Sequence, residues 1–453
     1  MLDVIRNLRK DSAERDDLWK LVEACKRLLT ERGESNSLAI AAAAMDRYRS
    51  LNADGTHQFF KVLASDFDPD PGEVLRLAEN YAVTRSPDNL VKLAKAAEPP
   101  RQELLRRLNR AAGGTASIVQ MRARLLERLR TDPSLKAVDA DFQHLLSSWF
   151  NPGFLKLVQV DWSSPAALLE RIIHHEAVHE IDGWGDLRRR LEPDRRCFAF
   201  FHPVLPDEPL IFVEVALLAQ MPEAIAPLLE RSAPESTDAS RYKVAAFYSI
   251  SNCQPGLRGI NLGNFLIKQV AERLQRQFPR LRTFCTLSPV PGFAAWLTRT
   301  EALAGGLRGP RLRNAQAALD GLRHRHGRDL AGLVPAGPGA AAGAAAAASG
   351  AGARRGPADD EADRQALARL CAFYLAHVSA SDNPLADPVA RFHLNNGARL
   401  QRINPAADLS RKGLKQSFGL MVNYRYDLEQ IEANHDRFTH GEVSASRAVL
   451  AMI

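Results

Sequence analysis

The sequence predicts an α+β protein in which an all-helical bundle precedes a mixed region of strands and helices. Three observations predict this class. Apolar residues recur with the helical period up to about residue 150. The pattern then changes to apolar runs of strand length after Asn151-Pro-Gly153, and one later stretch alternates strand, turn, helix and strand. We therefore expect a helical bundle domain at residues 1–153 and an α/β domain at residues 154–453.

Helices in the first region are indicated by apolar stripes and by the residues that separate them. One stripe consists of Leu18, Leu21, Val22, Cys25, Leu28 and Leu29. A second stripe begins with Val74 after Pro71, a residue type favoured at the first position of a helix. Helices are expected to end where glycine and proline cluster, as at Ser86-Pro87, Pro99-Pro100 and Gly113-Gly114.

Strands are indicated in the second region by four apolar runs and by one alternating run near the C-terminus. They lie at residues 197–201, 210–217, 244–251, 283–287 and 417–426. An amphipathic helix is expected at 262–277, between the third and fourth of these runs. Residues 335–357 are rich in alanine, glycine and proline, a composition typical of a flexible surface insertion.

Composition indicates a globular protein of more than one core, because the chain has 453 residues, 45% of them hydrophobic and 25% charged. Its five cysteines are scattered and form no Cys-x-x-Cys pair, so we expect neither a disulfide framework nor a zinc ribbon. No apolar run is long enough to span a bilayer, and the first ten residues do not resemble a signal peptide. We expect a cytoplasmic protein without membrane contact.

The net charge of +7 raises the question of nucleic-acid binding. Lysine and arginine are dispersed among acidic residues, and no basic cluster interleaved with aromatic residues stands out. We therefore expect no nucleic-acid partner. The same excess of positive charge would serve a small polyanionic ligand.

A possible metal site is the segment His175-Glu-Ala-Val-His179, which matches the zincin pattern His-Glu-x-x-His. In that pattern two histidines one helical turn apart bind zinc, and the glutamate acts as a base. Only two protein ligands are apparent here, whereas zinc sites normally have three or more. Glycines that follow in the sequence also end the helix early, so no metal is expected.

A glycine-bearing loop at residues 254–263 follows a predicted strand and precedes the predicted amphipathic helix. Backbone N–H groups at the start of a helix bind phosphate, and Arg258 could add a charged contact. Glycines before a helix are also often simple caps or turns. The segment from Arg258 to Gly263 resembles the Arg-x-x-Gly-x-Gly pyrophosphate loop of the acetyl-CoA-dependent N-acetyltransferase superfamily, although Asn261 stands in place of its first glycine.

A closer resemblance rests on several longer segments. They are Asn151-Pro-Gly-Phe154, Tyr248-Ser-Ile-Ser251, Thr286-Leu-Ser-Pro-Val-Pro-Gly-Phe293, Phe392-His-Leu-Asn-Asn-Gly-Ala398 and Gly419-Leu-Met-Val-Asn-Tyr-Arg-Tyr426. Together, and in this order, they resemble the malonyl-CoA decarboxylase family from about residue 150 to the C-terminus. The resemblance implies an N-acetyltransferase-like catalytic domain, a carboxy-lyase that converts malonyl-CoA to acetyl-CoA without a cofactor, and a homotetramer. This chain lacks the peroxisomal tail of animal members.

The resemblance also implies roles for individual residues. Ser288 would contact the malonyl group and relay or accept a proton, and His393 would donate the proton. The CoA pyrophosphate would be held by Arg258, Gly259, Ile260, Asn261, Leu262, Gly263 and Asn264. Supporting positions around the catalytic pair would be Asn395, Tyr424 and Tyr426.

Simpler interpretations stand beside these roles. Taken alone, Ser288 is a turn serine before proline, and His393 is a histidine on a helix face that bonds to backbone. Three other functions share some of the features: an acyl-CoA-dependent N-acetyltransferase, a CoA-binding regulatory protein without activity, and a zinc hydrolase. Release of carbon dioxide from malonyl-CoA without any acceptor would distinguish the decarboxylase from all three.

Overall fold

A computed structural model describes residues 12–230, 238–260, 262, 266–303, 310–327, 330, 333, 357–379 and 385–453. The chain divides into two compact units. The first comprises Met1–Lys156, Phe200–Ile211 and Asn252–Gly263, and the second comprises Leu157–Ala199, Phe212–Ser251 and Asn264–Ile453. An all-helical N-terminal region is followed by a region built on a mixed sheet, so the predicted α+β class is confirmed.

The first unit contains eight α-helices within residues 12–149. They are α1 (Ser12–Thr30), α2 (Glu34–Ser50), α3 (Ala53–Ser65), α4 (Pro71–Thr84), α5 (Pro87–Ala97), α6 (Pro100–Asn109), α7 (Gly114–Arg128) and α8 (Lys136–Trp149). Their starts follow from local sequence, because Asn52, Asp70 and Ser86 accept hydrogen bonds from N–H groups in the first helical turn. Prolines occupy the first positions of α4, α5 and α6, as predicted for Pro71 of α4, and those of α5 and α6 lie at breaks that were predicted between helices.

Among the described residues, eight strands form one sheet. They are β1 (Lys156–Val160), β2 (Arg195–Phe201), β3 (Ile211–Leu218), β4 (Val244–Asn252), β5 (Thr283–Thr286), β6 (Ser288–Pro289), β7 (Arg399–Asn404) and β8 (Met421–Tyr426). The strand order is β1-β2-β3-β4-β5-β8-β6, with β7 paired to β8. The pair β4–β5 is parallel, whereas β5, β6 and β7 all run antiparallel to β8. Strand β8 therefore joins β7 to the distant segment that carries β5 and β6.

Helices of the second unit follow or connect these strands. They are α9 (Ala166–His175), α10 (Gly183–Arg190), α11 (Ala226–Leu229), α12 (Leu266–Gln277), α13 (Phe293–Arg299), α14 (Pro310–His326), α15 (Pro357–Phe373), α16 (Pro388–Asn395), α17 (Arg411–Ser417), α18 (Ile431–Thr439) and α19 (Arg447–Met452). In the part of the chain that the structure describes, none of the helices is both long and apolar enough to cross a bilayer.

The strands predicted from sequence are present, with small shifts at their ends. The run predicted at 417–426 begins as a strand only at Met421, because Ser417 is the last residue of α17. The predicted helix at 262–277 begins at Leu266, and residues 263–265 lie outside the described residues. Strands β1, β6 and β7 were not predicted. The predicted insertion at 335–357 lies outside the described residues except for Pro357, which starts α15.

Candidate active site

Ser288 lies where the chain stops pairing with β4 and begins to pair with β8. Strand β4 pairs with β5 up to the contact between Phe247 and Thr286, and the N–H of Leu287 donates to the carbonyl of Phe247 at 3.0 Å. One residue later the chain leaves β4, and Ser288 pairs with Val422 of β8. The side chain of Ser288 is buried, with 5% of its surface exposed. The sheet thus holds the Ser288 hydroxyl at the end of a parallel strand pair.

His393 is brought to Ser288 by helix α16. The helix begins after Asp387, whose carboxylate accepts hydrogen bonds from the first turn, and it ends two residues after His393. Nε2 of the imidazole lies 2.9 Å from Oγ of Ser288, across 105 positions of sequence. Both side chains are buried. The convergence that the resemblance implied for these two residues is therefore present.

The hydrogen bonds around Ser288 and His393 define which group donates and which accepts. Ser288 donates its hydroxyl proton to Oγ1 of Thr286 at 2.9 Å, and Thr286 also accepts the N–H of Tyr424 at 3.1 Å. Ser288 donates its only hydroxyl proton to Thr286. In the hydrogen bond between Ser288 and His393, the donor is therefore the Nε2–H group of His393. Nδ1 of His393 then accepts from the hydroxyl of Tyr426 at 2.9 Å. Tyr426 therefore holds the Nδ1 edge of the imidazole through a hydrogen bond.

Burial keeps the imidazole and its neighbours uncharged. It lowers the pKa of His393 to about 3 and raises the pKa of Tyr426 well above its usual value. The ring of Tyr424 stacks on the imidazole with 4.7 Å between centroids. Near neutral pH the site thus holds a neutral imidazole that presents an Nε2–H group to Ser288.

The three predicted supporting residues, Asn395, Tyr424 and Tyr426, make different contacts. Tyr426 and Tyr424 both contact His393, the first by a hydrogen bond and the second by stacking. The hydroxyl of Tyr424 is buried and has no hydrogen-bond partner among the described residues. Asn395 closes α16, and its carbonyl oxygen lies 2.6 Å from Nδ1 of His435. Of these three predicted residues, the two tyrosines contact the imidazole.

The described part of the predicted pyrophosphate loop belongs to the first unit. Its described members are Arg258, Gly259, Ile260 and Leu262, while Asn261, Gly263 and Asn264 lie outside the described residues. Arg258 is exposed, whereas the side chains of Ile260 and Leu262 are buried. Only the arginine side chain is therefore available to a solvent-borne anion among these four.

Two helices of the first unit hold this loop in place. Arg122 of α7 is buried and donates to the carbonyl oxygens of Gly256 at 2.8 Å and Arg258 at 2.9 Å. Gln143 of α8 donates to the carbonyl of Gly259 at 3.2 Å. Gly259 has a φ of 81°, a conformation that residues with a Cβ rarely adopt. Because the carbonyls bond to Arg122 and Gln143, the loop has a defined backbone conformation.

The zincin-like segment does not form a zincin helix. Helix α9 ends at His175, and Glu176 already has an extended backbone conformation. His175 and His179 therefore do not lie one turn apart on a single helix, which is the arrangement that the pattern requires. No group of three potential metal ligands occurs within the residues that the structure describes.

Glu176 instead has a role that the sequence did not indicate. Its carboxylate accepts the hydroxyl of Ser249 at 2.7 Å and that of Ser251 at 3.1 Å, both from β4. It also accepts the backbone N–H groups of Val178 and His179 at 2.9 and 2.8 Å. A buried carboxylate with four donors is well compensated, so Glu176 anchors its loop to the end of β4.

Two further residues of the site were missed by sequence reasoning. Thr286 lies two positions before Ser288 and so faces the same side of the strand, a signal that the period of two could have provided. Asp387 comes directly before Pro388, and an Asp-Pro pair at the start of an apolar pattern is a helix-start signal. Neither signal, however, indicates proximity to Ser288 or His393.

Comparison with known proteins gives a consistent picture. The family model described as "Malonyl-CoA decarboxylase C-terminal domain" matches residues 153–453, and the model of the N-terminal domain of the same family matches residues 67–150. The chain is similar to mitochondrial malonyl-CoA decarboxylase of Rattus norvegicus, with 35% identity over 409 residues that cover 86% of this chain and 80% of the relative.

Solved structures agree with these sequence matches. The crystal structure of malonyl-CoA decarboxylase from Rhodopseudomonas palustris aligns with a TM-score of 0.80 and 44% identity, covering 95% of this chain and 98% of that one. The enzyme from Agrobacterium vitis aligns with a TM-score of 0.78 and 47% identity, covering 95% and 99%.

The low pKa of His393 predicts how stability responds to acid. Because the folded-state pKa lies below that of the unfolded chain, the contribution of His393 to stability is present above about pH 6.5 and is lost as the pH falls towards 3. Between about pH 7 and pH 5, the free energy of unfolding in urea should therefore fall less in His393→Asn than in the unchanged protein.

The control for this measurement is His440→Asn, because the side chain of His440 is 73% exposed. This variant should follow the unchanged protein across the same pH range. An equal loss of stability in His393→Asn and the unchanged protein would show that the buried imidazole is not held neutral.

Proposed function

The chain belongs to the malonyl-CoA decarboxylase family and is a carboxy-lyase, and from this premise we propose that Ser288 and His393 perform the conversion of malonyl-CoA to acetyl-CoA and carbon dioxide. The observation that carries the proposal is the 2.9 Å contact between Ser288 Oγ and His393 Nε2. It joins a hydroxyl and an imidazole in a buried setting, where hydrogen bonds act more strongly than in water.

The chemistry requires three tasks of the protein. The electrons of the bond between the α-carbon and the carboxylate flow into the thioester carbonyl, which releases carbon dioxide and leaves an enolate. The enolate carbon then takes up one proton to give acetyl-CoA. The site must hold the carboxylate out of the plane of the carbonyl, stabilise the developing oxyanion and supply the proton.

His393 is the group that supplies the proton in this proposal. The free imidazole is neutral, but the malonyl carboxylate would bring a negative charge beside it and so raise its pKa. The imidazolium then passes its Nε2 proton to Oγ of Ser288 while the hydroxyl of Ser288 gives its own proton to the enolate carbon, so that the imidazole returns to the neutral form, and the next proton comes from solvent. Ser288 contacts the malonyl group and relays the proton, while Tyr426 keeps the ring oriented through Nδ1.

The loop at residues 258–264 is proposed to bind the pyrophosphate of CoA. Support comes from its resemblance to the N-acetyltransferase loop, from the exposed Arg258 and from the positive φ of Gly259. With this assignment, residues 154–453 form the catalytic domain and residues 1–153 form an oligomerisation domain. No cofactor enters the reaction as proposed.

A homotetramer is proposed on the basis of the family resemblance and of an apolar surface in the first unit. Helices α4 and α5 expose four large apolar side chains, those of Leu75, Val83, Leu90 and Val91. Their exposed fractions are 61%, 86%, 46% and 52%. Large apolar side chains exposed on neighbouring helices are typical of protein–protein interfaces.

A cytoplasmic location and the absence of a nucleic-acid partner stay predictions. The location is supported by the five cysteines, which are all buried free thiols, as expected of a protein from a reducing compartment.

The first prediction concerns turnover. The purified chain should release carbon dioxide from malonyl-CoA and form acetyl-CoA without any acyl acceptor. Ser288→Ala and His393→Asn should each lower kcat about a hundredfold or more, because general acid catalysis typically contributes this much. His440→Asn serves as the control, since His440 is exposed. Folded variants that retained the turnover of the unchanged protein would contradict the assignment.

A second prediction concerns the loop. Gly259→Ala should raise the KM for malonyl-CoA roughly tenfold, because a positive φ costs a residue with a Cβ about 1–2 kcal/mol and would distort the loop. Gly441→Ala is a matched control, since Gly441 has a φ of 82° and open space around its Cβ position. If both variants had the same KM as the unchanged protein, the loop would not bind the substrate.

A third prediction concerns assembly. Light scattering should give four times the mass of the chain, and Val83→Glu combined with Leu90→Glu should lower that mass by placing charges in the interface. Leu409→Glu, at a side chain that is 67% exposed in the second unit, should leave the mass unchanged. A monomer mass for the unchanged protein would reject the tetramer.

A further inference from the structure

Asp387 bonds to both of the segments that carry the catalytic pair. Its Oδ1 accepts the N–H groups of Val389 at 3.0 Å and Ala390 at 2.9 Å, in the first turn of α16. Its Oδ2 accepts the N–H of Gly292 at 2.9 Å, at the start of α13. The residue is completely buried. One carboxylate therefore joins two elements that are separated by 95 positions of sequence.

Each attachment lies close to one member of the pair. Gly292 follows Ser288 by four positions, through the segment Pro289-Val-Pro291. His393 follows Asp387 by six positions, within the same helix that Asp387 caps. Prolines restrict the backbone of the first segment, and helical hydrogen bonds restrict the second. A displacement of either attachment would therefore move Ser288 or His393.

Asp387 is itself held firmly. Its backbone N–H donates to Oγ of Ser379 at 3.1 Å, and the hydroxyl of Tyr374 donates to the neighbouring carbonyl of Leu385 at 2.7 Å. A Cβ added at Gly292 would lie 2.3 Å from the hydroxyl oxygen of Tyr374, so the turn packs directly against this support. Asp387 is thus held through its backbone as well as through its carboxylate.

Burial of a carboxylate at this position costs free energy. Burial raises the pKa of Asp387 to about 6, although the three backbone N–H groups lower it in part. The titratable groups that face it are Cys371, Tyr374 and Tyr424, and no lysine or arginine pairs with it among the described residues. A serine would cap the helix without that cost. What the carboxylate adds is a second acceptor oxygen, which bonds to Gly292.

We propose that Asp387 is a positioning residue that sets the distance between Ser288 Oγ and His393 Nε2 by bonding to both of their segments. The proposal rests on the proposed function of that pair. Reacting groups must be held within a fraction of an ångström, and a misplacement of about 1 Å can lower the rate about a hundredfold. Asp387 does not touch the reacting atoms, so its removal should act on kcat rather than on substrate binding.

The test compares Asp387→Ala and Asp387→Asn with the unchanged protein, using malonyl-CoA as substrate. Asp387→Ala removes both attachments and should lower kcat about thirtyfold to a hundredfold, with a change in KM below about threefold. Asp387→Asn keeps one acceptor oxygen for α16 but turns an NH₂ group towards the N–H of Gly292. Its kcat should lie between those of the other two proteins.

The matched control is Ser446→Ala. Ser446 is a buried helix cap of α19 in the same unit, where it accepts the N–H of Val449 and donates to the carbonyl of Gln401. Its loss should lower the thermal midpoint without changing kcat. Ser446→Ala removes both a helix cap and a hydrogen bond to another segment, but neither segment carries Ser288 or His393. This control therefore separates a general loss of such bonds from the loss of the bonds that join the segments of the pair.

Two outcomes would overturn the inference. One is a folded Asp387→Ala variant with the kcat of the unchanged protein. If that variant does not fold, Asp387→Asn provides the test, because it retains the helix cap. A kcat of Asp387→Asn equal to that of the unchanged protein would show that Asp387 acts only as a helix cap. Failure of the proposed function is distinguishable, since in that case the unchanged protein itself would release no carbon dioxide from malonyl-CoA.

Discussion

The arrangement of this site depends on the hydrogen bond between Ser288 and His393, and that bond depends on strand β8. Because β8 pairs with β5, β6 and β7, it fixes the strand end that carries Ser288. It also contributes Tyr424 and Tyr426, which stack on the imidazole and bond to its Nδ1. A single strand thus sets the position of the serine and the orientation of the histidine ring.

Burial gives this site its chemical character. In water the imidazole would exchange protons freely near neutral pH, whereas here its pKa is lowered to about 3. The phenol of Tyr426 stays protonated, so it can donate to Nδ1 of the neutral ring. A neutral, directed network of this kind has no charge of its own to repel an anionic substrate. It can therefore respond to the charge that the substrate brings, which is the property that the proposed proton transfer uses.

Much of the fold could be predicted because its signals are local. The strands at 197–201, 210–217, 244–251 and 283–287 appear as predicted, and so does the helical region before residue 150. The resemblance to malonyl-CoA decarboxylase is confirmed by the family models. The His-Glu-x-x-His segment shows the limit of such signals, because α9 ends at His175 and Glu176 bonds instead to serines of β4. A short motif does not determine where its helix ends.

By itself the sequence determined the class of the fold, most of its elements and the two residues expected to react. Periodicity, caps and turn residues, which act over a few positions of chain, indicated the class and the elements, whereas the two residues followed from the family resemblance. Only the tertiary structure decided which atoms meet: the Nε2 tautomer of His393, the acceptor Thr286 and the double attachment of Asp387. These are contacts between segments far apart in sequence. Their distances follow from packing and strand register, which no local pattern encodes.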